Sequence, residues 1–440
     1  MAKSVVSIVK YEKPLESVRK AVELTKSFDD ISPGMKVFIK PNIVFWSRHV
    51  PIPKWGVLTT SRVIEDIIVL LKEKGIDDIT IGEGIVTEDI KDKLTAPDAW
   101  EKLGYNKLIE KYGIKVYNIL ERPFEKIDLG LDFIVEFNSD ALNSDVIIDV
   151  PVLKTHAQCI VSISIKNLKG LISIATRKKF HSADPVKNLD YNIARLPEKL
   201  PPVVSVVDGI YTLERGPAID GKARRSNILL ASKDILSADL VGAKLLGWDP
   251  SKVPHLVHAA EKRNRSTGLS DVDVVGEKID DLASFHNYDY IYEENDTIPL
   301  PFAKAGIKGV TYHKYDKTMC TYCSFLNGVI LSGIKMAWVG KPFDNVEILT
   351  GKSMKPTPGK NKTILLGQCM YNANKNHPNI KELIPVKGCP PSKEALKEAL
   401  DKAGFDVPDM LFKNLDKAPM IFLNKYRGKP EFDESFYQIP

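Results

Sequence analysis

An α/β fold with a mostly parallel sheet and helices on both faces is predicted by three features of residues 1–250. Short β-branched runs alternate with helical stretches, two of the runs are apolar almost without interruption, and the helices between them carry start and stop signals. Such alternation is what parallel strands joined by crossover helices produce. Residues 5–9 (VVSIV) read as the first strand and 15–27 as a helix with apolar positions at helical spacing. Residues 37–40 form the next strand; Ser61 then caps an amphipathic helix over 62–74 that stops at Gly75. A strand over 79–82, a helix over 100–112 and a strand over 116–118 follow. The runs 146–150 and 203–207 have the composition of strands buried on both faces. A strand over 227–231 and a helix over 235–246 complete the series.

Residues 262–300 are more polar and irregular, closing on EENDTIPLP, and mark a domain boundary. The division expected is 1–295, an α/β domain, and 296–440, a smaller α/β domain rich in cysteine. Within the second, helices are expected over 324–336 and 393–403, and strands over 346–349, 363–366 and 384–386. Ala395, Leu396, Ala399, Leu400 and Ala403 share one face of the last helix. From Pro408 onward no periodicity is visible, and the tail is expected to wrap the surface.

A chain of 440 residues exceeds what one ordinary core holds, which agrees with two domains. Hydrophobic content of 43% and charged content of 27% are those of a soluble globular protein. The net charge of +5 is small and its lysines and arginines are interspersed with acids, which argues against nucleic-acid binding. No apolar run approaches the roughly 20 residues of a membrane span. The start, MAKSVVSIVKYEKP, has no h-region or cleavage site, so a cytoplasmic location and reduced thiols are expected.

Four of the five cysteines fall in the last third, as Cys320-Thr-Tyr-Cys323, Cys369 and Cys389, with intervals of 2, 45 and 19 residues. Four thiols from three segments make a closed coordination site for a soft centre, an iron–sulfur cluster or zinc. Structural zinc commonly uses two short knuckles, and only one is present here. The segment from Cys369 to VKGCPPS around Cys389 resembles the cluster-binding segment of nickel–iron hydrogenase small subunits and the related subunit of respiratory complex I. There a Gly-Cys-Pro-Pro turn follows a strand and opens a helix; the resemblance implies a [4Fe–4S] cluster, and zinc stays as the alternative. Cys159, before the alternating run 160–165, reads as a packed residue. His255 and His258 lie on a helical segment and receive no role.

In a parallel sheet, residues that follow the strands collect at the carboxyl edge, where ligands bind. Lys40 and Asn42, Glu83, Lys154 and His156, and Asp208 follow apolar runs directly. Lys166, Asn167 and Lys169 lie in SIKNLKG, His181 in KKFH, and Glu214 in ERGP. A cleft lined by Lys40, Lys154, Lys166 and Lys169 would attract a small anionic ligand or cofactor. Lys154, His156 and Lys166 are the candidates for acid–base chemistry there. No P-loop, dinucleotide-binding fingerprint or Ser/His/Asp pattern is present.

The strings IKPN (39–42), DVPVLKTH (149–156), SISIKNLKG (162–170) and VDG…ERGP (207–217) resemble the domain-of-unknown-function 362 family over roughly residues 35–250. That resemblance implies a prokaryotic protein associated with iron–sulfur clusters and anaerobic redox metabolism. Many members carry a ferredoxin-like module, whose dense cysteine runs are missing here. The function expected is that of a cytoplasmic [4Fe–4S] protein, an electron carrier or oxidoreductase, with one cluster facing the Lys/His-lined cleft and a redox partner protein. A racemase or isomerase using Lys154 and His156 beside a structural metal is the second expectation. A cluster or cofactor carrier is the third.

Overall fold

The computed structural model describes residues 3–87, 92–130, 133–293 and 295–440, and the chain divides into two compact units. Unit 1 comprises Met1–Arg177, Asp190–Asp289 and Pro419–Pro440, and unit 2 comprises Lys178–Leu189 and Tyr290–Ala418. The change near residue 290 lies close to the expected boundary, but two segments depart from a single cut. The tail is one of them: Tyr426 and Phe432 pack on Trp55 with ring centroids 5.3 and 5.5 Å away, and the Tyr211 hydroxyl donates to Glu431 O at 3.0 Å. Burial of large aromatic rings fastens the tail to unit 1, where periodicity gave no signal.

Unit 1 is built on β1 (Ser4–Lys10), β2 (Val37–Pro41), β3 (Ile79–Glu83) and β4 (Lys115–Asn118). After the two-stranded ribbon of β5 (Phe124–Asp128) and β6 (Ile134–Asn138) come β7 (Val146–Val150), β8 (Val152–His156) and β9 (Ile160–Ser162). Two long strands, β10 (Val203–Glu214) and β11 (Lys222–Ser232), and β12 (Val272–Gly276) complete it. The ten-stranded sheet runs β12-β1-β11-β10-β7-β2-β3-β4, with β8 joining β10 and β9 joining β8. Pairing is parallel except at β1–β11, β10–β11 and β8–β9. The α/β class with a mostly parallel sheet therefore holds. Every residue of β2 and β7 is buried, as the apolar runs required.

Three local expectations are corrected. Ser61 does not cap the helix Ser61–Glu73; Thr60 holds that position, and the Ser61 hydroxyl donates to Leu103 O at 2.7 Å. The helix expected over 100–112 is two, Thr95–Lys102 and Tyr105–Tyr112. Gly104 breaks them at φ +78°, and a Cβ there would meet the backbone N of Ile439 at 3.0 Å. Finally, β10 continues past the apolar run it was expected to end with, so Asp208 and Glu214 lie within a strand.

Unit 2 carries a four-stranded, wholly parallel sheet in the order β13 (Val310–Tyr312), β14 (Val346–Leu349), β15 (Lys362–Leu366) and β16 (Glu382–Val386). Ile348, Ile364, Ile384 and Val386 pack with Leu396 and Leu400 of the helix Lys393–Ala403 and Ile330 and Ile334 of the helix Thr321–Ala337. That second helix begins three residues before the expected start, so Cys323 lies in its first turn. Among the described residues no helix is long and apolar enough to cross a membrane.

Candidate functional site

Unit 1 gathers five of the predicted residues into one buried hydrogen-bonded chain. Lys40, near the end of β2, and Glu83, at the end of β3, are neighbours because their strands pair in parallel. Lys40 Nζ donates to Glu83 Oε2 at 2.7 Å, to Pro41 O at 2.7 Å and to Asn167 Oδ1 at 3.4 Å. Asn42 Nδ2 donates to the same Asn167 oxygen at 3.0 Å, and Asn42 Oδ1 accepts from Lys154 Nζ at 2.6 Å. Lys154 Nζ also donates to Val57 O at 3.0 Å and Pro217 O at 3.2 Å. Gly170 lets this chain close, since a Cβ there would lie 2.5 Å from Lys40 Cε and 2.6 Å from Glu83 Oε1.

Lys40 and Lys154 are almost wholly buried and bonded inward, so they do not line an open cleft as the sequence suggested. Burial, reinforced by the charges of Lys166 and Lys40, holds the Lys154 ammonium well below the usual lysine range, with Glu83 opposing. Lys166 is also lowered, first by burial of its ammonium, although part of the side chain stays exposed; Cys159 and Asp190 oppose the shift. Lys166 is placed by the short helix Ser164–Asn167, whose first amides, Ser164 N and Ile165 N, donate to Asp239 at 2.8 and 3.0 Å. Burial raises the Asp239 carboxyl to about 7.

The other predicted residues have separate settings. His156 is buried at the end of β8, its Nδ1 accepting from Gln158 N at 3.1 Å. Lys169 is half-buried beside Gly170. Asp208 accepts from Thr60 N at 2.7 Å and Ile210 N at 3.0 Å, so it holds the start of the helix Ser61–Glu73. Glu214 pairs with Arg224 and Lys222. His181 belongs to unit 2, where its Nδ1 lies 2.8 Å from Lys317 O.

Sequence reasoning missed Asp149, Asp190, Asp239 and His255. Asp149 faces Lys40 across the β2–β7 pair and accepts from Asn167 Nδ2 at 2.8 Å; burial pushes its carboxyl well above the usual range. Asp239 had a signal, a lone acid within the apolar helix Ile235–Leu245. His255 is completely buried, and neither ring nitrogen has a hydrogen-bond partner; the nearest carboxylate atom, Asp190 Oδ1, is 3.9 Å from Nδ1. Burial lowers its pKa to about 4 from 6.5. Between those values the unfolded chain takes up a proton that the folded one refuses, so stability falls as pH drops from about 6.5 towards 4. The contribution is on the order of 3 kcal/mol. Denaturant titrations at pH 7 and pH 4.5 should show that pH-dependent loss shrink in His255→Phe.

In unit 2 the four cysteines occupy the carboxyl edge of the parallel sheet, the edge where open α/β sheets hold ligands. Cys320 precedes and Cys323 lies in the first turn of Thr321–Ala337, Cys369 lies in the first turn of Gly367–Asn374 after β15, and Cys389 sits in the loop between β16 and Lys393–Ala403. Gln368 N donates to Gly388 O at 2.9 Å, tying the last two segments together. A hydrogen bond from the Cys323 thiol holds Cys320 below the usual thiol range, assisted by the amides of Cys323 and Tyr322 at the helix start. The same bond raises Cys323, which also feels the charges of Cys320, Cys389 and Cys369. Burial raises Cys369, with Lys352 and Lys178 opposing. Lys178 Nζ donates to Cys389 O at 3.3 Å.

A tetrahedral zinc ion would draw four sulfurs to about 3.8 Å from one another, given Zn–S bonds of about 2.3 Å. Among the described residues, no group of three or more His, Cys, Asp or Glu is drawn together as a single metal ion requires. Gly367, at φ +88°, leaves room beside the thiols, since a Cβ there would lie 3.2 Å from Cys323 Sγ. The four thiols lie within electrostatic reach of one another.

A thylakoid-associated protein of Synechocystis sp. is 24% identical over 235 residues, covering 53% of this chain and 69% of that protein. The lactate racemase apoprotein of Thermoanaerobacterium thermosaccharolyticum aligns at a TM-score of 0.34 with 17% identity, over 56% of this chain and 57% of that one. A structural-genomics protein of Thermotoga maritima aligns at 0.32 with 12% identity, over 52% and 57%. The match thus spans little more than half the length of either solved chain. Residues 37–244, which contain all five members of the buried Glu83–Lys40–Asn167–Asn42–Lys154 chain, match the family described as "Domain of unknown function (DUF362)".

Proposed function

We propose that this is a cytoplasmic [4Fe–4S] protein of redox metabolism, with the cluster on Cys320, Cys323, Cys369 and Cys389 and a site for a small anionic ligand in unit 1. The observation that carries the proposal is the convergence of four thiols from three segments at one carboxyl edge, within reach of one another's charge. When bound, such a cluster supplies one-electron transfer or a Lewis-acidic iron. The chain's own contribution is electrostatic. The amides at the helix start favour the thiolate form of Cys320, and Lys352 brings positive charge to Cys320 and, with Lys178, to Cys369.

Anaerobic purification followed by iron and acid-labile sulfide determination tests the cluster. About four irons and four sulfides per chain with visible absorption are expected. Near-stoichiometric zinc in a colourless protein would overturn it. A second reading, an isomerase or racemase with a purely structural metal, is favoured by one observation: Lys154 and Lys166 are both held below the usual lysine range in one polar interior. It requires Lys154→Ala to abolish turnover while Cys389→Ser lowers stability alone. In the redox reading, Cys389→Ser abolishes turnover as well.

A further inference from the structure

Basic residues are unevenly shared between the two units. Unit 2 holds 21 lysines and no arginine against 14 acids, a net charge of +7. Unit 1 keeps the other 41 of the 62 basic residues and 43 of the 57 acids, a net charge of −2. Much of the excess in unit 2 gathers at the carboxyl edge of its sheet. The residues that follow the four parallel strands there are 313–320, 350–356, 367–373 and 387–392. They carry Lys314, Lys317, Lys352, Lys355 and Lys387 but one acid, Asp316.

Hydrogen bonds tie those loops into one surface. Lys352 N donates to Thr318 Oγ1 at 2.7 Å, and His181 Nδ1 lies 2.8 Å from Lys317 O. Lys352 Nζ donates to Lys178 O at 3.1 Å and to His181 O. Lys178 Nζ in turn donates to Cys389 O at 3.3 Å and stands over the Tyr322 ring, 5.0 Å from its centroid. The segment Lys178–Leu189, held at this edge by those bonds, adds three lysines and one acid, Asp184. Lys178 and Lys352 are half-buried and bonded inward, so their charge serves the thiols. Lys314 pairs with Asp296 at 3.8 Å. Lys355 and Lys387 are exposed and have no ion pair among the described residues; Lys387 Nζ lies 4.4 Å from the Tyr371 ring centroid. Of the four thiols, Cys369 and Cys389 are the exposed ones.

We propose that the carboxyl edge of unit 2 is the docking surface for a small acidic electron-carrier protein. The proposal rests on the cluster half of the proposed function. The exchange is of one electron with the carrier's own redox centre, and no bond forms or breaks. Two of the four thiols reach the surface at this same edge, where a carrier can approach them. Lysines are compact, strongly hydrated point charges, suited to the small, transient and salt-sensitive encounters that redox partners make. A nucleic acid fits less well, because its recognition leans on arginine, which unit 2 lacks.

The test is calorimetric titration of the whole, anaerobically purified protein with a plant-type ferredoxin, an acidic carrier, at low and at high salt. Binding should weaken at least about ten-fold between about 20 mM and about 300 mM NaCl. That measurement needs no variant. Lys387→Glu and Lys355→Glu should each weaken low-salt binding about five-fold, since a charge that attracted now repels. Lys381→Glu is the control: Lys381 is exposed just before β16, at the opposite edge of the sheet, and its reversal should change binding less than about two-fold. No binding at low salt, binding indifferent to salt, or equal losses from Lys381→Glu and Lys387→Glu would overturn the surface. A polyglutamate peptide that binds as tightly as the ferredoxin would overturn the carrier and leave bare charge attraction. Iron and sulfide content of the same sample separates the two layers. About four irons per chain without binding sinks the docking surface and leaves the cluster. Binding by iron-free protein sinks the cluster and leaves the surface.

Discussion

Lys40→Met is expected to destabilise unit 1 by about 3–5 kcal/mol, lowering Tm by roughly 10 °C. The Lys40 side chain is 0% exposed and that of Glu83 is 4% exposed, so removing one partner strands a charge in the interior. Among the described residues, Glu83 would keep as donors only the amides of Ile43 at 3.1 Å and Gly84 at 2.7 Å. Asn167 would lose a donor as well, and with it part of the chain to Asn42 and Lys154. The double change Lys40→Met with Glu83→Gln should recover most of the loss, because it leaves no buried charge uncompensated. Scanning calorimetry of the three proteins checks this. Equal damage from single and double changes would show that packing, and not the stranded charge, sets the cost.

Cys389→Ser is expected to remove most of the iron and the visible absorption of anaerobically purified protein while leaving the fold intact. Cys389 is exposed in its loop, so its replacement removes a ligand without opening a cavity. Cys159 provides the contrast, being 1% exposed in unit 1. Cys159→Ser, at a buried position in the other unit, should keep the iron. Iron analysis and circular dichroism on both variants decide the matter. Iron retained in full by Cys389→Ser would remove that residue from the proposed ligand set.

Much of the fold was legible because it depends on short-range patterning. The β2, β7, β14 and β15 runs and the helix Lys393–Ala403 lie where apolar periodicity put them. Departures came where a distant segment overruled a local preference. Asp208 binds the amide of Thr60, 148 residues away, from within a strand that continues past the expected end. Lys154 and His156 were expected in a loop after an apolar run, but Pro151 divides that run into β7 and β8, and β8 pairs with both β10 and β9.

The candidate site divides along the same line. The sequence by itself determined which groups are present: four thiols in three segments, lysines and asparagines after apolar strands, and the matched stretch 37–244. It determined them because residue type and local periodicity are properties of a few neighbouring residues. Only the tertiary structure decided how those groups divide their partners. It bonded Lys154 to Asn42, 112 residues distant, inside the protein, left both ring nitrogens of the buried His255 without hydrogen bonds, and brought four cysteines to one sheet edge. Burial and long-range pairing settle whether a polar group is satisfied, and neither is encoded in spacing along the chain.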